Sequence, residues 1–118
     1  MTPFGALLRY FREDRGVSQH EMARRLSEDS KLISAIETGR RRPPKGEELQ
    51  RIRDALLLSE AEFKQLSEAA EHSGYTLRIP REISPRGLQL AHRLVNSLGG
   101  LRQDQLTAIQ MILERRSS

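Results

Sequence analysis

Gly16-Val-Ser-Gln-His-Glu-Met-Ala-Arg-Arg-Leu26, followed five residues later by Leu32-Ile-Ser-Ala-Ile-Glu-Thr-Gly-Arg-Arg-Arg-Pro43, is the stretch that decides the fold. Ser18 with Glu21 three residues on reads as a capping box. The hydroxyl accepts from the Glu21 amide and the carboxylate from the Ser18 amide. Met22, Ala23 and Leu26 then fall on one face of a short helix. Ser27-Glu28-Asp29 interrupts it. A further helix from about Ser30 to Thr38 turns Leu32, Ile33 and Ile36 inward. Gly39 closes that helix, and the basic run ending in Pro43-Pro44 cannot continue it, because proline lacks an amide donor. The pattern is two short amphipathic helices across a three-residue turn.

The N-terminal side supplies one more helix. Phe4, Leu7, Leu8 and Phe11 recur on one helical face, Thr2 and Pro3 offer an N-cap and a first-turn proline, and Gly16 ends the helix. On the C-terminal side a helix from about Glu47 to Leu57 points Leu49, Ile52 and Leu56 inward. Ser59 and Glu62 form a second capping box, opening a helix through about His72 with Phe63, Leu66 and Ala70 on one face; Gly74 ends it. Residues 75–83 alternate like a short strand or an extended linker. Ser84-Pro85 starts another helix, Gly99-Gly100 breaks it, and a last one runs from about Arg102 to Arg115. The expected organisation is residues 1–74, a linker over 75–83, and a C-terminal region over 84–118.

In this register the sequence resembles the lambda-repressor/Cro-like helix-turn-helix family. The positions that match are Ser18-Gln19, Met22-Ala23, Leu26, Ile33-Ser34, Ile36-Glu37 and Gly39, and the resemblance covers roughly residues 4–72. It implies an all-α fold: a five-helix lambda-repressor-like DNA-binding bundle, here followed by a C-terminal helical hairpin. It also implies a transcriptional regulator of double-stranded DNA. A helix that enters the ~12 Å major groove has to be short, exposed on one face and held at a fixed angle by a partner helix. Carried over by position, base contacts fall to Ser30, Lys31, Ser34 and Ala35, and backbone contacts to Gln19, Thr38, Arg40, Arg41 and Arg42. Lys31 and the arginine run also admit a plainer reading as solvated side chains. Three positions depart from the pattern: Ser27 stands where glycine usually supplies a positive φ, Glu28 where an apolar residue packs inward, and Ala35 where many relatives carry a polar base reader. Ala35 leaves only apolar contact, for instance with a thymine methyl.

Composition narrows the alternatives. The chain has 118 residues, 36% apolar and 31% charged, with no Trp. That is room for one compact domain, or a small domain with an appendage, and not for a catalytic cleft with its supporting shells. Net charge is +4 and splits as +3 over residues 1–58, −3 over 59–77, +3 over 78–93 and +1 over 94–118. Basic character thus lies in two blocks either side of an acidic helix. Without cysteine there is no disulfide and no zinc-thiolate site, and His20, His72 and His92 lack ligand spacing. No convergent catalytic set or glycine-rich phosphate loop is found, so neither an enzyme, a cofactor nor a metal is expected. No apolar run approaches the ~20 residues of a membrane span, and the N-terminus lacks a signal-peptide layout; a cytoplasmic protein is expected.

The C-terminal helices carry a stripe of Leu88, Ala91, Leu94, Val95, Leu98, Leu106, Ile109, Ile112 and Leu113. This is more apolar surface than two helices bury alone, and it reads as a homodimer seam. A homodimeric repressor on a palindromic operator is the leading expectation. The alternative is an antitoxin-type protein that autoregulates its promoter and binds a toxin through its C-terminal region. A co-activator touching polymerase through Glu60, Glu62, Glu68 and Glu71 is a third reading, against which a solvated acidic face stands.

Overall fold

Thr2 opens the chain's first helix, α1 (Pro3–Asp14), by accepting a bond from the Gly5 amide at 3.0 Å, with Pro3 in the first turn. The computed structural model describes residues 1–115, in which α1 is followed by α2 (Gln19–Leu26), α3 (Ser30–Glu37), α4 (Glu47–Leu56) and α5 (Glu60–Glu71). Helix α2 packs on α3 and α4, while α1 packs on α3 and α5. Their apolar stripes meet in a single core that includes Phe4, Leu8, Phe11, Met22, Ile33, Ile36, Ile52, Leu56 and Leu66. Leu7, Leu32, Phe63 and Ala70, all expected inward, pack half-buried at its edge.

The caps account for where these helices begin. Ser18 accepts from the Glu21 amide, but the return bond expected from Glu21 does not form. Its carboxylate turns instead to the guanidinium groups of Arg24 and Arg25, which together outcompete one amide. Hydrogen bonds from these two arginines hold the Glu21 carboxyl down to about 2, so it stays ionised at neutral pH. At Ser59 the box is complete: Glu62 accepts from the Ser59 amide at 2.9 Å and Ser59 from the Glu62 amide at 3.1 Å. The Ser59 amide bond, and then Arg15 at 2.7 Å, lower the Glu62 carboxyl. Helix α3 is capped by Asp29, which accepts from the Lys31 amide at 2.8 Å.

Among the described residues, two that are not glycine stand in the left-handed region, Ser27 at φ 56° and Leu57 at φ 53°. Ser27 opens the turn between α2 and α3, the position at which glycine was the expected type. An L side chain there costs about 1 kcal/mol. Ser27→Gly is therefore expected to stabilise the N-terminal helices by roughly 0.5–1 kcal/mol, raising the thermal midpoint by several degrees. An unchanged or lower midpoint would show that the serine hydroxyl compensates for the strain.

The chain divides into two compact units, Met1–Leu77 and the remainder from Arg78. The 75–83 segment does not form a strand: Thr76–Pro80 is irregular, and its one turn is closed by the Ile83 amide donating to the Pro80 carbonyl at 3.4 Å. The second unit begins α6 (Pro85–Ser97) with Ser84 accepting from the Gly87 amide and Pro85 in the first turn. A 3-10 turn over Leu98–Gly100 follows, then α7 (Gln103–Arg115), whose start is marked by the Arg102 amide donating to Gln105. Residues 116–118 of the expected C-terminal region lie outside the described residues. No described residue of this unit is buried, which separates it sharply from the N-terminal one.

Candidate nucleic-acid interface

Three helices are locked to one another by a buried ion pair that composition could not have suggested. Arg12 on α1 donates to both carboxylate oxygens of Glu37 on α3, at 2.8 and 3.1 Å, and to the Val17 carbonyl at 2.8 Å. Gln19, the first residue of α2, adds its amide to Glu37 at 3.2 Å. Both charged side chains are almost fully enclosed, 8% and 2% exposed. The fork-to-carboxylate geometry, with further bonds to the remaining polar atoms, is what makes such burial tolerable. The backbone closes in at the same place. A Cβ on Gly5 would stand 2.2 Å from the Glu37 carbonyl oxygen, so only glycine lets α1 lie against the end of α3.

With Ile33, Ile36 and Glu37 turned inward, the opposite side of α3 is left open. Ser30, Lys31, Ser34 and Ala35 fall within an arc of about 140° at ~100° per residue, and Thr38 lies inside the same arc. Lys31 is exposed and the other three base-contact candidates are half-buried. The five therefore share one surface. Thr38 donates its hydroxyl to the Ser34 carbonyl at 2.9 Å and accepts from Arg40 Nε at 3.1 Å, linking the helix end to the basic loop. Gln19 is half-buried and tethered, with one amide hydrogen on Glu37 and the second available to an acceptor such as a phosphate oxygen.

Arg40, Arg41 and Arg42 are exposed on the loop between α3 and α4, and Lys45 stands with them. Among the described residues none of these four, and not Lys31, has a carboxylate partner, whereas Arg9, Arg12, Arg15, Arg24, Arg25 and Arg53 all do. Cations without counter-charges thus gather beside the open face of α3. The loop forms one wall of a cleft of about 750 Å³ whose other wall is the end of α5 and residues 73–76.

Several residues of consequence were not singled out from the sequence. Lys45 could have been, since it extends the same basic run past the prolines. Asp29 could have been read as a cap. Arg12 carries no local signal, because its partner lies 25 residues away. Glu28 and Asp29 are both exposed at the head of α3, so two carboxylates border its open face; a carboxylate can accept from a cytosine amino group but not from an acceptor base edge.

Residues 3–66 match the model of a family described as a helix-turn-helix domain. No curated protein and no solved structure matches the chain.

Proposed function

Because the chain belongs to the helix-turn-helix domain family, of the lambda-repressor/Cro-like type, we propose that this DNA-binding regulator is a homodimeric repressor that reads a palindromic operator in double-stranded DNA. One observation carries the reading: the outer arc of α3 is open, rigidly braced through Glu37, and flanked by cations with no carboxylate partner among the described residues. Ser30, Lys31, Ser34 and Ala35 take the base edges. Gln19, Thr38 and Arg40 to Arg42 take the phosphates. Such a protein acts where the DNA is, which we read as the cytoplasm, by occupying a promoter.

Dimerisation rests on the second unit. Leu88, Leu94, Val95, Leu98, Leu106, Ile112 and Leu113 are all more than a third exposed, and Ala91 and Ile109 are half-buried beside them. A two-fold pair would cover these faces and space two α3 helices for half-sites about one turn of DNA apart. The antitoxin-type alternative draws on the same faces, with a toxin in place of the second copy.

Selecting bound fragments from random DNA at a stated salt concentration tests the reading, and an inverted repeat is the expected product. On that operator Lys31→Ala should weaken binding by about 5- to 150-fold, the value of one base or phosphate contact, with helical content unchanged. A pool without enrichment, or a variant of undiminished affinity, would mean that the groove-facing surface lies elsewhere.

A further inference from the structure

The second basic block, which the helix-turn-helix does not use, lies where the chain leaves the N-terminal unit. Arg78, Arg81, Arg86 and Arg93 are all exposed, and none has an ion-pair partner among the described residues. Between Glu71 and Asp104 the only acidic residue is Glu82. The backbone amides here are equally unengaged: none from Gly74 to Glu82 donates within the described chain. An exposed aromatic, Tyr75, stands at its head.

The exit point matters as much as the charge. Gly74, Tyr75 and Thr76 line the same cleft as Arg40 to Lys45, and the Tyr75 hydroxyl ends 3.5 Å from where a Cβ on Gly39 would stand. The chain thus departs from beside the loop assigned to the DNA backbone. Nine residues, 75–83, reach up to ~30 Å when extended, a distance that spans about nine phosphates of one strand.

We propose that Arg78, Arg81, Arg86 and Arg93 form a second DNA-binding element, an arm that follows the phosphates flanking the sequence read by α3. This rests on the DNA-binding reading above. Tethering supplies the preference for DNA over another acidic surface, because a short link holds the arm at high effective concentration near the duplex its neighbour already holds. Phosphate neutralisation needs no base readout, so the arm adds affinity and salt dependence to every sequence alike.

The test is the salt dependence of binding by the full chain, with all four arginines changed to Gln and, separately, to Lys. The Gln variant should show a log-affinity versus log-salt slope shallower by about one for each phosphate it no longer neutralises, up to ~4. The Lys variant keeps the charges and should keep most of the slope. Hydroxyl-radical protection flanking the half-site should retreat in the Gln variant alone. A slope and footprint unchanged by the Gln variant overturn the arm and leave the arginines to an acidic protein surface. Measuring the slope on random-sequence duplex as well separates the two readings. If no sequence is preferred but the Gln variant still flattens the slope there, the operator reading fails and the arm stands.

Discussion

Replacing Glu37 by alanine is expected to lower the melting midpoint of the N-terminal unit by roughly 15–30 °C. Removing one member of a buried ion pair leaves the other charged, enclosed and unpartnered, which costs about 3–5 kcal/mol. A domain of this size gains only about 5–15 kcal/mol in all, and each kcal/mol shifts its midpoint by about 4–8 °C. Arg12 would keep the Val17 carbonyl but lose both bonds to Glu37, and Gln19 would lose its anchor. The double change Arg12→Met with Glu37→Leu should recover most of that stability, since it removes both charges from the same dry site. It should not recover DNA affinity, because Gln19 remains untethered. Thermal melting of the three proteins, followed by operator titration of the stable ones, checks both statements. A single variant that melts within a few degrees of the parent would mean that water reaches Arg12 and the pair is not sealed.

The second large effect is expected from Leu94→Asp combined with Ile109→Asp. Leu94 is 37% exposed and Ile109 half-buried, so both carboxylates can stay hydrated in a single chain. At a dry seam between two copies they cannot, and burying them there costs several kcal/mol. The mass measured by light scattering should therefore fall from two chains to one while helical content and the first unit's melting are unchanged. Every buried apolar side chain of the described residues lies within Met1–Leu77, so the helix-turn-helix has no need of the second unit for its core. Affinity for the full inverted repeat should drop towards that of a half-site. A variant that remains dimeric would move the seam to another surface and free the α6 and α7 stripes for a different protein.

What the sequence made legible was local. Ser18, Ser59 and Ser84 announce helix starts because a hydroxyl and an amide three residues on need nothing else from the fold. The stripes through Phe4, Met22, Ile33 and Ile52 could be read because 3.6-residue periodicity is a property of one helix at a time. What required the structure was the competition between partners and the packing of one element on another. Glu21 looked like the second half of a capping box until Arg24 and Arg25 came within reach on the same helix. Gly5 carries no local signal, and its necessity comes from the Glu37 backbone. The alternation of 75–83 fits a short strand or an extended linker; a strand needs a neighbour to complete its ladder, and among the described residues there is none. The outer arc of α3 could be delimited in outline because the matching positions set which residues of α3 turn inward. Lys45 and the carboxylates of Glu28 and Asp29 complete its electrostatics without belonging to the matched pattern.

Ser73 accepts a bond from the Phe4 amide at 2.9 Å and donates its own proton to the Ala69 carbonyl at 2.6 Å. The N-terminal unit is therefore a closed circuit: its first helix and its last turn meet across one buried hydroxyl, so chain order is decoupled from spatial order. A polypeptide that joined residue 74 to residue 2 and opened instead in the Pro43–Gly46 loop would keep every core neighbour it has now. Pulling the two ends of the unit apart would load that hydroxyl together with the packing of α1 on α5. Neither bond of Ser73 involves α2 or α3.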